Sequence, residues 1–532
     1  MMTSLLDVQN LEILFGSRRI VDGLSFSLAP GATVALIGES GSGKSITAAA
    51  ILGLLPPGMT IGQTSKIVLK GERISPFDEA TMAPHRGRTM SIVFQDPMSC
   101  LNPFMTVGAQ IDESLRRIGM RGTTARRARI FELMRLVELP EPPRLAARYP
   151  HQLSGGQQQR IMIAMALAAE PELLIADEPT SALDATVQAE ILALLKRLQA
   201  KLGNAMIFIT HDLAAAANLA ERIIVMQRGR AVEQGSVARI LRSPTDAYTR
   251  TLVSTRTMLT TQPPEPPHGS QTVLAIENVV YDYSVKSLFA RPFRALHGVS
   301  TKIKAGETLG VLGESGSGKS TLAKLVVGLA APMSGEITLF GELLSRNCFR
   351  LTREQRRRCQ IVFQNPFGAL NPRLTIEQAM REPLDLLGLS RADDRARLEA
   401  VLHDVKLGPE HLGRYPHQLS GGQRQRVCIA RALLSEPDLL ICDEIVSALD
   451  ATVQMQVLRM LKDLQAKRGF AMLFIGHDIE IVRWVSDRIA VMRGGRIVEQ
   501  GPASQIVEAP RENYTRAFMA AMPRPFAAGL SR

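Results

Sequence analysis

The segment "GESGSGKS" stands at Gly38–Ser45 and returns letter for letter at Gly313–Ser320, with its lysines 275 positions apart. This duplication constrains the fold more than any other feature, because a chain made of two copies of one unit must build two equivalent cores. Further pairs follow in the same order. "FQDPMSCLNP" at Phe94–Pro103 returns as "FQNPFGALNP" at Phe363–Pro372, and "RYPHQLSGGQQQR" at Arg148–Arg160 returns as "RYPHQLSGGQRQR" at Arg414–Arg426. "LLIADEPTSALDATVQ" at Leu173–Gln188 pairs with "LLICDEIVSALDATVQ" at Leu439–Gln454, and "FITHD" at Phe208–Asp212 with "FIGHD" at Phe474–Asp478. The offset is 269 at Gln95 and Gln364, then stays at 266 from Ser154 and Ser420 through His211 and His477. Insertions and deletions therefore fall before "LSGGQ", and the later half of each copy is the geometrically constrained one.

Short apolar strands alternate with helical stretches in both copies, so the fold class is α/β. "TVALIG" and "TLGVLG" run straight into the glycine loops, and helices are expected to begin near Lys44 and Lys319. "ELLIAD" with "AMIFIT", and "DLLICD" with "AMLFIG", read as parallel strands buried on both faces. The Arg-, Leu- and Glu-rich stretch Thr123–Leu139 reads as part of an inserted helical subdomain. The domains are expected at 5–255 and 273–525, joined by a Pro-rich linker at 256–272 that includes "TTQPPEPPHGSQT".

A chain of 532 residues exceeds one ordinary core. No apolar run approaches the ~18–20 residues of a bilayer span, and the start has no basic-then-apolar pattern of a secretory signal. The five cysteines, Cys100, Cys348, Cys359, Cys428 and Cys442, form no C-x-x-C pair, which suits a reducing compartment better than zinc or disulfides. Cys442, at the end of an apolar strand, reads as an inert core thiol. A net charge of +12 fits nucleic acid, phosphorylated ligands, an anionic membrane face or simply a solvated surface, and does not choose among them.

G-x-x-x-x-G-K-[ST] between a strand and a helix carries its own mechanism. Glycines let backbone N–H groups converge on phosphate oxygens, and the helix N-terminus adds a favourable dipole. The cradles are Gly38, Glu39, Ser40, Gly41, Ser42 and Gly43, with Ile46 following, and Gly313, Glu314, Ser315, Gly316, Ser317 and Gly318, with Thr321 following. Lys44 and Lys319 reach β/γ-phosphates, and Ser45 and Ser320 ligate Mg²⁺. Asp177 and Asp443 end apolar strands, where a carboxylate holds Mg²⁺ directly or through water. Glu178 and Glu444 follow, placed to polarise an attacking water. Gln95 and Gln364 suit sensing of a γ-phosphate or completion of the Mg²⁺ shell, and His211 and His477 suit hydrogen bonds to the γ-phosphate and the water.

With these motifs in hand, the chain resembles the nucleotide-binding subunit of an ABC transporter in a fused two-domain form. The resemblance implies two tandem P-loop domains, each with a RecA-like core, an antiparallel β part and a helical subdomain. It implies ATP and Mg²⁺ as ligands and a composite site in which one copy's glycine loop meets the other copy's signature: Ser154, Gly155, Gly156 and Gln157, or Ser420, Gly421, Gly422 and Gln423. "SALD" at Ser181–Asp184 and Ser447–Asp450 matches the family's D-loop. The adenine-stacking aromatic is Phe15 in copy one and Tyr283 or Phe289 in copy two.

The extended glutamine segments and the tails "SPTDAYTRTLV" and "APRENYTRAFM" resemble dipeptide and oligopeptide importers, and the fusion resembles the microcin C type. Transmembrane permeases as separate chains, a periplasmic binding protein and a peripheral position on the cytoplasmic face of the inner membrane follow from that resemblance. Relatives carry a cysteine cluster for an iron–sulfur centre after the tail; this chain has no cysteine there, so none is expected. Ile445 replaces the first copy's Pro179, with altered D-loop contacts expected. Other transporters, for nickel or glutathione uptake or for export, share the catalytic motifs. A ribosome- or DNA-acting relative would suit the charge. Yet its long charged linker helix, zinc modules or coiled coils do not appear, so no nucleic acid is expected.

Overall fold

The computed structural model describes residues 4–181, 183, 185–258, 269–283, 293–344, 351–388, 393–447 and 449–521. It separates into two compact units, divided between Arg256 and Thr257.

In the first unit β1 (Leu6–Phe15), β2 (Arg18–Leu28), β4 (Met59–Ile61), β5 (Lys66–Leu69) and β6 (Glu72–Ile74) form an antiparallel sheet in the order β2-β1-β5-β6, with β4 also on β1. A second sheet is built from β3 (Thr33–Ile37), β7 (Met90–Val93), β8 (Leu173–Asp177), β9 (Ala205–Thr210), β10 (Arg222–Gln227) and β11 (Arg230–Ser236), in the order β11-β10-β3-β9-β8-β7. All its pairings are parallel except β10 with β11.

Every residue of β3, β8 and β9 is buried, which explains their unbroken apolar sequences. Alternation still operates, because successive side chains serve opposite faces. Ala35, Ile37, Leu174, Ala176, Met206 and Phe208 enter one core with the helices Val107–Arg117, Thr123–Leu136 and Gly155–Ala166. Val34, Leu36, Leu173, Ile175, Ala205, Ile207 and Ile209 enter the other, with the antiparallel sheet and the helix Lys44–Ile51. The helical subdomain thus lies on one face and the antiparallel part on the other.

The second unit repeats the plan. β12 (Thr272–Tyr283), β13 (Phe293–Lys304), β15 (Ser334–Leu339) and β16 (Glu342–Leu343) run in the order β13-β12-β15-β16. β14 (Thr308–Gly313), β17 (Cys359–Val362), β18 (Leu439–Asp443), β19 (Ala471–Ile475), β20 (Arg488–Arg493) and β21 (Arg496–Pro502) run in the order β17-β18-β19-β14-β20-β21. Read from its antiparallel edge, this is the order of the first unit's core sheet.

The expected boundaries shift slightly. Residues 256–258, placed in the linker from sequence, end the helix Ala247–Met258, because no proline or glycine interrupts it there; Thr272 already opens β12. Most of the expected linker, 259–268, lies outside the described residues, as do Phe289 and Cys348. Within the stretch 123–139 that reads as helical subdomain, the helix Thr123–Leu136 ends just before Glu138, which turns to φ +58°. Cys442 and Cys359 are buried, and burial pushes both thiols up, Cys359 to about 12. No helix among the described residues is long and apolar enough to cross a membrane.

Phe208, fully buried in β9, fills the core under the helical subdomain. Phe208→Ala is expected to cost about 3–5 kcal/mol of unfolding free energy, measured by urea denaturation of the full chain.

Candidate active site

Four parallel strands deliver the site from their carboxyl ends, where ligands bind in open α/β sheets. β3 leads into the glycine loop, β7 into Gln95, β8 ends at Asp177 before Glu178, and β9 leads into His211. In the second unit β14, β17, β18 and β19 do the same for the loop, Gln364, Asp443 with Glu444, and His477.

Glycine is obligatory at two loop positions for different reasons. A Cβ on Gly38 would lie 2.1 Å from the carbonyl oxygen of Met226 in the neighbouring strand, and one on Gly313 would lie 2.3 Å from that of Met492. Gly43 and Gly318 cap their helices with φ of 98° and 103°, a region costly to other residues. Lys44, 5% exposed, donates from Nζ to the carbonyls of Gly38 (2.7 Å) and Glu39 (2.8 Å); Lys319 repeats this with Gly313 and Glu314 at the same distances. Ser317 is buried with no hydrogen-bond partner for its hydroxyl among the described residues, a donor available to a ligand oxygen in this cradle.

Ser45 Oγ donates to Asp177 Oδ1 at 3.0 Å, and Ser320 Oγ to Asp443 Oδ1 at 3.1 Å. Burial pushes both aspartyl carboxyls above their usual range, against the serine hydrogen bonds. Around the next residue three groups meet. Gln95 Nε2 donates to Glu178 Oε2 at 3.1 Å, and His211 Nδ1 lies 3.4 Å from the same oxygen. In the second unit the distances to Glu444 Oε2 are 2.9 Å from Gln364 Nε2 and 3.5 Å from His477 Nδ1. Burial raises the Glu178 carboxyl, but the His211 hydrogen bond and the charges of His211 and Lys44 outweigh it and hold the group below its usual value. Glu444 is lowered first by its bond to His477. Both histidines are raised, by their glutamate bonds and against burial. The glutamates also sit at φ 44° and 50°, left-handed backbone that costs a non-glycine residue about 1–3 kcal/mol. Each is held there by a bond from its own N–H, to Ile209 O at 2.9 Å or Ile475 O at 3.0 Å.

The signature residues are engaged in their own helices. Ser154 caps Gly155–Ala166, its hydroxyl accepting from Gln157 N while Gln157 Oε1 accepts from Ser154 N; Ser420 and Gln423 form the same box on Gly421–Leu433. A Cβ on Gly156 would meet Val187 Cγ1 at 2.5 Å, and one on Gly422 would meet Val453 Cγ1 at 2.5 Å, so the second glycine lets this helix approach the next.

Phe15, at the end of β1, is 54% exposed. Tyr283, at the end of β12, bonds through its hydroxyl to Thr321 Oγ1 at 3.0 Å, on the helix that follows the loop. Ile445 is buried, where copy one has the equally buried Pro179. In the D-loops, Ala182 and Asp184 of copy one and Ala448 of copy two lie outside the described residues. Sequence reasoning missed Tyr248, whose hydroxyl reaches the glycine loop; only its place in the repeated "YT" tail pointed to it.

The model of the ABC transporter family matches residues 21–181 and 296–447. The chain belongs to the ABC transporter family. A second model, for the oligopeptide/dipeptide transporter C-terminal region, matches residues 498–530, the tail of copy two. The chain is 42% identical to the peptidoglycan transport ATP-binding protein YejF of Agrobacterium fabrum, over 97% of its own length and 96% of the relative's. It is also 42% identical to the glutathione import ATP-binding protein GsiA of Escherichia coli K12, over 98% and 90%. Among solved structures it is similar to cbiO1 of Clostridium perfringens (30% identity, TM-score 0.40, covering 45% of this chain and 93% of that one). Another is an ATP-binding cassette dimer in a post-hydrolysis state bound to ADP and Pi (29%, 0.39, covering 43% and 98%). The chain is thus an ATP-binding, transport-coupled ATPase subunit of a peptide-type importer.

His211 and His477 are expected to titrate above the ordinary histidine value of about 6.5, followed by NMR of labelled histidines. Because the histidines shift upward and their glutamates downward, the stability each pair contributes is complete between about 4.5 and 6.5; it is lost as pH rises through the raised histidine value and as it falls through the lowered glutamate value. Glu178→Gln is expected to lower the His211 midpoint, since it removes the raising partner and leaves burial.

Proposed function

We propose that this chain hydrolyses ATP at two composite sites, each closed by one copy's glycine loop and the other copy's "LSGGQ", and that the cycle drives import of short peptides. The carrying observation is the doubled cluster of loop lysine, serine, strand-end aspartate, glutamate, glutamine and histidine at matching distances. Within it Lys44 and Lys319 exchange loop carbonyls for phosphate oxygens. Glu178 and Glu444 orient water for attack on the γ-phosphate, held by Gln95 or Gln364 on one side and His211 or His477 on the other. Phe15 and Tyr283 flank the adenine. The capping hydroxyls of Ser154 and Ser420 and the amides at their helix starts suit the partner copy's γ-phosphate.

Mg²⁺ fits the residues present: Ser45, Gln95 and Asp177, and Ser320, Gln364 and Asp443, pair a hydroxyl and an amide with a carboxylate whose burial a cation would offset. When bound it neutralises phosphate charge. Fusion keeps the two copies at high effective concentration. The names of the relatives favour glutathione-sized or peptidoglycan-derived peptides as cargo. Separate permease chains dock around Met98–Thr106 and Phe367–Thr375, because these segments follow Gln95 and Gln364 and expose Phe104 (88%) and Phe367. A periplasmic binding protein completes the system on the far side of the inner membrane.

The double variant Glu178→Gln, Glu444→Gln is expected to retain ATP and lose at least about 100-fold in steady-state hydrolysis, measured as phosphate release. Normal turnover in it would remove the glutamates from the chemistry. Full-rate hydrolysis by an isolated, monomeric half would end the composite-site reading.

A further inference from the structure

The tail of each copy touches that copy's glycine loop. Glu233, buried on β11, accepts from Thr245 N (2.9 Å), Thr245 Oγ1 (2.8 Å) and Asp246 N (3.1 Å), which fixes the turn before the tail helix Ala247–Met258. Asp246 Oδ1 then accepts from Tyr248 N at 2.8 Å. These bonds hold Tyr248 with its hydroxyl accepting from Glu39 N at 3.1 Å, across 209 positions of sequence. That N–H belongs to the Gly38–Glu39 peptide, whose carbonyl oxygen accepts from Lys44 Nζ at 2.7 Å. One peptide unit is therefore gripped on one edge by the tail and on the other by the loop lysine.

Copy two has the same parts. Glu499 on β21 accepts from Arg511 N (2.8 Å) and Glu512 N (3.1 Å), before the helix Asn513–Ala521. Tyr514 lies beside Glu314; burial, and then the Glu314 carboxylate, push its phenol up to about 12. Its hydroxyl is buried against Glu314, and its ring lies under the Arg493 guanidinium (4.6 Å) and against Phe518. The Gly313 carbonyl accepts from Lys319 Nζ as in copy one.

We propose that Tyr248 and Tyr514 are positioning residues for ATP hydrolysis: through the Gly38–Glu39 and Gly313–Glu314 peptides, the C-terminal tail of each copy sets the carbonyl that its loop lysine leaves when it turns to phosphate. The tail is thereby a control point on nucleotide affinity in each copy. This rests on the assignment of the two loops as the nucleotide sites.

The test uses the full chain. Tyr248→Phe keeps the ring and removes the hydroxyl, a loss of one hydrogen bond equivalent to about two- to tenfold. The expected result is an ATP KM changed by that factor with kcat altered less, a change in the same direction for Tyr514→Phe, and none for Thr251→Ala, an exposed position on the same tail helix. An ATP KM unchanged in Tyr248→Phe overturns the proposal, whether or not the melting temperature falls, and so does an equal change in Thr251→Ala. Lys44→Ala with Lys319→Ala separates the two levels. If fluorescent ATP still binds that double variant at wild-type affinity, the assignment of the loops has failed; if binding is lost while Tyr248→Phe behaves as wild type, only the role of the tail has failed.

Discussion

A parallel strand buried on both faces can carry polar groups only where it emerges, and in each unit three such strands and the edge strand beside them emerge together. Ile37, Val93, Asp177 and Thr210 are the last residues of β3, β7, β8 and β9, and the reactive groups follow within two positions in three of the four cases. The apolar alternation that feeds two cores therefore also brings Gln95, Glu178 and His211 to a common point. Without that packing, residues from 95 to 211 would have no reason to meet.

The charges at this rim limit one another. Asp177 is driven towards neutrality by burial, whereas Glu178, one residue further on, is kept ionised by His211 and Lys44. Two adjacent carboxyl groups thus have opposite tendencies: the first is suited to receive a cation and the second to act as an acceptor for water. The same division recurs at Asp443 and Glu444.

Much of this was legible in the sequence, because the motifs encode local backbone requirements. The helix starts at Lys44 and Lys319 follow from glycines that must turn left-handed, and the signature serine announces a helix cap with its glutamine three residues on. The offset of 266 after "LSGGQ" anticipated the matching geometry of Asp, Glu and His in the two units. What could not be read were contacts whose partners lie far apart and carry no spacing rule. Nothing in "SPTDAYTRTLV" says that Tyr248 reaches Glu39, because the fold of β10, β11 and the Glu233 turn decides it. Nor does spacing reveal that Tyr283 leans on Thr321, or that the second glycine of the signature answers to Val187 and Val453 on another helix.

The left-handed backbone at Glu178 and Glu444 sets conformational comfort against reactivity at a single position. Glycine would relax the main chain there, but it would leave Gln95 and His211 with no carboxylate between them. The glutamate we assign to catalysis in each unit is consequently also one its backbone resists, and the N–H bonds to Ile209 and Ile475 are what keep it aimed.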